Sequence, residues 1–292
     1  MITITPAEFP LPVFHDYMLS AIAPRPIAFV STQDTDGCVN LSPFSFFNAF
    51  GSNPPIVVFS PARSGRTGQT KDTFDNVKAV PQCVINICDY ALVHQLSLAS
   101  GEYPKGVNEF EKAGLTALPS QTVKPPRVAE APIQMECEVL QILETGTEGG
   151  AGNLVICRVN CIHIRESVLD KDNRIDPYRM DYIARMGRNF YARIIPESIF
   201  EVPKPAGKDN LGIGFDNLPD SVRHSSVLTG NELAQLASVS ALPSVEAVTA
   251  FRSAADFSAL HSELTDEQQR HRLAAAYIRA GDIQRAWLIL LA

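Results

Sequence analysis

The segment FSPARSGRTGQTKDT, residues 59–73, gathers Arg63, Arg66 and Lys71 in one short run, with Ser60 near its start. Gly65 and Gly68 let a ligand approach the backbone closely, and Thr70 to Thr73 open a helix whose first amides lack intrahelical partners. A phosphate placed there would meet free N–H groups, the Thr73 hydroxyl and the Lys71 ammonium. Asp72 is expected to cap the helix, because a carboxylate repels phosphate. The plainer reading is a solvated basic loop before a capped helix. Upstream, NLSPFSFFNAFG, residues 40–51, sets Ser42, Ser45 and Asn48 among Phe44, Phe46, Phe47 and Phe50. Such alternation suits a flat ring with apolar faces and a polar edge. Its plainer reading is a core strand with its turn.

These residues need a frame. Up to about residue 200 the strongest signals are short Val- and Ile-rich strands bounded by Gly, Pro, Asn or Asp: 27–32, 55–60, 83–88, 133–143 and 153–164. The last two form a hairpin around ETGTEGGAGN. Helices are expected near 71–79 and 90–99, without the strand–helix repetition of a parallel sheet. No G-x-G-x-x-G turn follows a strand, which argues against a doubly wound sheet. The expected fold is mainly β with helices, an antiparallel barrel over residues 1–202. Beyond it PKPAGK reads as a linker, and residues 203–292 as a small α-helical region. There Thr229 with Glu232 and Thr265 with Gln268 match the capping box. Leu273, Tyr277, Trp287 and Leu290 are too many apolar side chains for so short a segment to hide. They are expected to dock on the barrel, a second subunit or a partner, with docking inside a homodimer favoured. The stretch AYIRAGDIQRAW faintly resembles one tetratricopeptide-type helix turn.

PRPIAFVST at 24–32, the two segments above and RMGRNFY at 185–191 together resemble the flavin-reductase-like, FMN-binding split-barrel family, which includes flavoredoxins and the reductase components of two-component monooxygenases. The likeness spans roughly residues 15–200. It implies that Lys71, Asp72 and Thr73 match the family's K-D-T motif at the FMN phosphate, and that Arg25, between two prolines, lies near the cofactor or substrate pocket. A surface salt bridge is the alternative for Arg25. Arg188 and Tyr191 match a C-terminal barrel motif that touches the pocket or the second subunit. Residues 100–115, with Tyr103 and Glu109, resemble a loop and short helix that frame the substrate mouth. The expected FMN-binding set is Arg25, Ser42, Ser45, Phe46, Phe47, Asn48, Ser60, Arg63, Lys71, Thr73 and Arg188. FAD is the alternative cofactor.

The implied activity is reduction of flavin by NAD(P)H, with hydride transfer to N5 and electrons passed to flavin, a monooxygenase partner or a small acceptor. Because the cofactor carries that chemistry, no catalytic residue is assigned. The alternatives are a flavoredoxin-like electron carrier with no nicotinamide reaction of its own, and an FMN-binding scaffold whose helical tail recruits a partner. His163, on a strand, is expected to be structural, with the nicotinamide pocket as the other reading. Family likeness also implies a homodimer.

A net charge of −7 without runs of like charge argues against a nucleic-acid surface. The N-terminus lacks a basic and then apolar leader, and no stretch is apolar enough to span a bilayer, so a cytoplasmic protein is expected. The six cysteines are read as ordinary thiols. Cys83 and Cys88 fall on opposite strand faces, and Cys157 and Cys161 share a face but stand roughly 13 Å apart, too far for one metal.

Overall fold

The computed structural model describes residues 1–202, 211–254, 257 and 266–292, in two compact units, Met1–Phe200 and Glu201–Ala292. The proposed linker at 203–208 and Thr265 lie outside the described residues.

In the first unit, helix α1 (Leu11–Ala21) precedes strands β1 (Ala28–Gln33), β2 (Val39–Phe44), β3 (Phe47–Ser52) and β4 (Pro55–Phe59). Helix α2 (Asp72–Ala79), β5 (Gln82–Ile87), α3 (Val93–Leu98) and α4 (Glu109–Ala113) follow. A short ladder joins β6 (Ala117–Leu118) to β7 (Arg127–Val128). The long hairpin is β8 (Ile133–Glu144) and β9 (Asn153–Ile164), and a last ladder is β10 (Ile183–Arg185) with β11 (Tyr191–Arg193).

Seven of these strands form one antiparallel sheet in the order β2-β1-β5-β8-β9-β4-β3. Its two edge strands are consecutive in the chain, separated only by Ser45 and Phe46. Three Cα steps, about 11 Å at full stretch, cannot bridge the opposite ends of a flat sheet, so the sheet must curl until its edges meet at that corner. The curl encloses a cluster drawn from every strand of the sheet, including Val30, Phe44, Phe59, Ile85, Cys137 and Val155, with Phe47 packed against it and Val77 of α2 contributing. On the other side of β1 and β2, Phe29 and Leu41 belong to a second cluster with Leu92, Leu96 and Phe110. β1 is accordingly buried on both faces, from Ala28 to Thr32.

The run NLSPFSFFNAFG thus divides between β2 and β3. Pro43 sits inside β2 because an edge strand can spare one N–H. The β1–β2 turn is set by Asp34, whose carboxylate accepts from the Asp36 and Cys38 amides at 3.0 and 2.8 Å, with Gly37 at φ +89°.

The second unit is helical: α5 (Asp220–Arg223), α6 (Gly230–Ala237), α7 (Val245–Arg252), α8 (Glu267–Arg279) and α9 (Ile283–Leu291). Thr229 and Glu232 make the expected capping box. The other expected box falls on Thr265, outside the described residues; Asp266 is the N-cap of α8, and its side chain makes no cap bond. The expectation that the tail's apolar residues need an outside surface is corrected. Trp287 is fully buried with Leu233, Leu236, Ile278 and Ile289 in a core of the unit's own residues, and its indole N–H donates to the Leu236 carbonyl at 3.1 Å. Leu273, Tyr277 and Leu290 pack against the same core. Each of the unit's five α-helices among the described residues contributes to this core or packs against it.

Candidate functional site

The corner where the sheet edges meet carries two adjoining cavities that share Ser42, Ser64, Arg66, Lys71 and Glu102. One, about 570 Å³, lies over the start of α2, among Gln69, Thr70, Lys71, Asp72, Thr73 and Tyr103. The other, about 650 Å³, runs along Ser42 to Phe46 and is walled by Leu11, Leu19, Ser60 and Arg63. A polar end at a helix N-terminus therefore opens into an apolar slot along a strand.

At the polar end Lys71 is itself the N-cap residue of α2 and Asp72 the first helical residue, which corrects the expected cap. Acid in the first turn still suits the helix dipole. Among the described residues Lys71 makes no ion pair, whereas Arg66 is tied to Glu102 at 2.8 Å. Thr73 is buried, and its hydroxyl donates to Asn40 Oδ1 at 2.7 Å. Asn40 Nδ2 donates in turn to Glu109 at 3.1 Å, and the other Glu109 oxygen accepts from the Leu41 amide at 2.9 Å. Burial raises the Glu109 carboxyl above its ordinary range, against those hydrogen bonds. Glu109 is thus an anchor for β2, and both it and Tyr103 line the cavity.

At the slot, Ser42, Ser45, Phe46, Ser60 and Arg63 all face the cavity as expected. Ser60 Oγ also accepts from the Asn153 amide at 3.0 Å. The Arg63 guanidinium reaches Gly68 O at 3.3 Å and Glu144 at 3.1 Å, holding the basic loop to β8. Four expected residues line neither cavity: Phe47, Asn48, Arg188 and Arg25. Phe47 packs into the barrel interior. Asn48 is exposed on β3, its side chain accepting from the Ala49 amide. Arg188, at φ +51°, points to solvent and pairs with Asp16 at 3.3 Å. A strand's period-2 alternation sends Phe47 inward and Asn48 outward once β3 exists.

Arg25 is buried, not a surface salt bridge. Its guanidinium donates to the carbonyls of Leu19, Ile22 and Met186 and, at 3.3 Å, to Ser45 Oγ. Burial, and then the nearby Arg185 charge, lower its pKa. It ties the end of α1 and the β10–β11 turn to the corner residue Ser45.

His163 lines neither cavity. With Cys161 and Glu136 it forms a group whose ligand atoms lie within 4.8 Å of one another. The pattern arises because Cys161 and His163 share a face of β9 and Glu136 stands opposite Cys161 on β8. Glu136 Oε1, however, already receives the Gln121 amide at 2.8 Å and lies 2.9 Å from His163 Nε2, and Oε2 receives the Thr122 amide and hydroxyl at 2.6 and 2.7 Å. Arg127 Nε stands 3.6 Å from the carboxylate. Burial works to raise the Glu136 carboxyl, but these donors outweigh it and hold it at about 2. Burial, and the carboxylate beside it, push the Cys161 thiol up. The cluster is a clasp that binds the 119–128 loop to the sheet. Cys83, Cys88, Cys137 and Cys157 are buried, Cys161 is half-buried and Cys38 is exposed.

No helix among the described residues is long and apolar enough to cross a membrane. A relative from Aquifex aeolicus, an uncharacterized protein, is 32% identical over 186 residues, 63% of this chain and 92% of its own length. The solved structure of nitrilotriacetate monooxygenase component B from Bacillus cereus is 31% identical, with a TM-score of 0.65 over 69% of this chain and 98% of that one. A split-barrel protein of the flavin-reductase kind from Shewanella frigidimarina, 21% identical, covers 70% of this chain and all of its own, with a TM-score of 0.60, and so shares the fold. The Flavin reductase like domain matches residues 19–180, which include the corner, α2, the whole lining of the polar cavity and most of that of the slot. The chain belongs to the flavin reductase-like family and has its split-barrel fold.

Proposed function

We propose that the first unit binds FMN across the two joined cavities and uses NAD(P)H to reduce it. The observation that carries this reading is the junction itself: a helix start with an unpaired lysine opens into an apolar slot edged by serines. The group fits these residues. Lys71, Arg66 and the first amides of α2 would hold the phosphate, and Ser42, Ser45 and Phe46 would flank the ring system. FAD, with its second phosphate, is the alternative. The flavin supplies the hydride-accepting chemistry when bound. The chain's part is to bind and orient: Arg63 keeps the basic loop against β8, Glu109 and Asn40 fix β2, and Arg25 fixes Ser45. Likeness to a component of a monooxygenase supports onward delivery of electrons to an oxygenase partner, with free flavin or a small acceptor as the other routes.

The absorption spectrum of purified protein, with identification of released flavin, tests the binding step. Anaerobic mixing with NADH or NADPH then tests the reaction, and bleaching within seconds supports the reductase. A flavin that binds but does not bleach would favour the electron-carrier reading, and a chain that cannot be loaded with FMN or FAD would sink both.

The same reading includes a homodimer. Helix α1 has no buried residue and exposes Leu11, Val13, Tyr17 and Met18, and the edge strand β3 exposes Phe50. Apolar surface of this kind suits a subunit contact. Light scattering at twice the chain mass is the expected result. Because the helical unit completes a core from its own residues, a recruiting role for it also gains support. A chain ending at Val202 should then still dimerise and bind flavin.

A further inference from the structure

A third cavity, about 370 Å³, adjoins the slot through Pro43, Ser45 and Ser100 and is walled by Ser97, Arg185, Asn189 and Tyr191. We propose that this cavity holds an oxyanion, a phosphate or carboxylate, of the second ligand that meets the flavin. The proposal rests on the slot being the flavin site.

Charge is the first argument. In this part of the barrel Arg179 pairs with Asp176, Arg188 with Asp16 and Arg193 with Asp181. Among the described residues, Arg185 and Arg25 make no ion pair. Yet the two are neighbours, exchanging backbone hydrogen bonds at 2.9 Å in each direction, and the Arg185 charge bears on the Arg25 guanidinium. Two adjacent guanidiniums without a counter-charge favour an anion beside them.

Orientation is the second. Arg185 lies with its guanidinium carbon 4.6 Å from the centre of the Tyr191 ring, and Nη2 donates to the Arg188 carbonyl at 2.7 Å. Stacking fixes the plane of the fork, and one bond uses only one of its five N–H groups. No carboxylate lines the cavity, in contrast to the phosphate end, where Asp72, Glu102 and Glu109 do. Its other polar groups are the hydroxyls of Ser45, Ser97 and Tyr191 and the Asn189 amide, which can donate, and the Ser100 hydroxyl, whose proton goes to the Ser97 carbonyl.

Connection is the third. Ser45 lines both this cavity and the slot, and its oxygen accepts from Arg25, which leaves its O–H to donate toward a ligand. Ser45 is then the shared donor between flavin and anion. The volume suits an aromatic acid or a nucleotide fragment, and is too small for a whole dinucleotide.

The experiment titrates benzoate and inorganic pyrophosphate into FMN-loaded wild type, Arg185→Gln and Ser97→Ala, read by the flavin difference spectrum and by calorimetry. Saturable binding of either anion, weakened about tenfold or more by Arg185→Gln and less by Ser97→Ala, with FMN affinity unchanged within about twofold, is expected. Competition by NADH but not by N-benzyl-dihydronicotinamide would place a nucleotide phosphate in the cavity, and its absence a carboxylate-bearing acceptor. Absence of saturable binding, or equal binding by wild type and both variants, overturns the proposal. Should FMN itself fail to bind, calorimetry on the flavin-free protein still reads the anion, so the two failures stay distinct.

Discussion

Two charged clusters sit on the same barrel and differ in what the chain does with them. At Glu136 both carboxylate oxygens are taken by groups of the chain itself: two amides, a hydroxyl and an imidazole, with Arg127 beside them. At the corner the balance is reversed, since Lys71, the Asp72 and Thr73 amides and most of the Arg185 fork are donors without a matching acceptor among the described residues. The clasp is filled and therefore structural, although its residue types could ligate a metal. The corner is left open at the points where an anion would fill it. Burial and residue type alone would rank the two the other way round, because Glu136 is the more deeply buried and the more strongly shifted group. Counting satisfied partners separates them.

The comparison is most severely tested at Glu136. Glu136→Ala strands the Gln121 and Thr122 amides, the Thr122 hydroxyl and the half-buried Arg127 together, and should cost about 3–5 kcal/mol. Denaturant unfolding measures that loss, and molecules that remain folded should bind FMN as before. A variant that loses FMN in proportion while keeping its stability would put the clasp in the site.

Next comes its acid dependence. The Glu136 carboxyl is held at about 2 in the folded chain against an ordinary 4.5, so its contribution is fully present above the unfolded value. That contribution is lost as pH falls from about 4.5 through about 2, and it is on the order of 3 kcal/mol. Melting curves of wild type should fall through that window, and those of Glu136→Gln should be flatter there. Parallel curves would mean that other carboxylates govern acid unfolding.

Lys71→Ala should act the opposite way, leaving stability nearly untouched and weakening FMN by about 1.5–3 kcal/mol, or roughly 10- to 150-fold, with riboflavin little affected. Equal losses for FMN and riboflavin would remove the phosphate from Lys71. The smallest effect sharpens the boundary between the two classes. Thr73 lines the cavity but spends its hydroxyl proton on Asn40, so Thr73→Ala should cost about 1 kcal/mol of stability and weaken FMN less than Lys71→Ala does. A phosphate-specific loss as large as that of Lys71→Ala would show that the hydroxyl turns toward the ligand.

Much of this was legible in the chain because it depends on local pattern. Alternation and β-branching marked β1, β4, β5 and the β8–β9 hairpin, and the order of the segments PRP, NLSPFSFF, KDT and RMGRNFY pointed to the family now matched by residues 19–180. The polar loop before α2 and the helix start were likewise visible, since N–H groups at a helix start are free whatever the rest of the fold does. Tertiary structure decided what local pattern cannot reach. Phe47 and Asn48 left the expected site because pairing with β4 fixed the faces of β3. Arg188 gave way to Arg185 because a positive φ turned one outward while the Tyr191 ring held the other at a cavity. The distant partners Asn40, Thr73 and Glu109, and likewise Glu136 with Thr122 and His163, meet only when the sheet closes. Sequence supplied the donors and acceptors; which of them were consumed within the chain, and which were left for a ligand, was fixed by contacts between residues far apart along it.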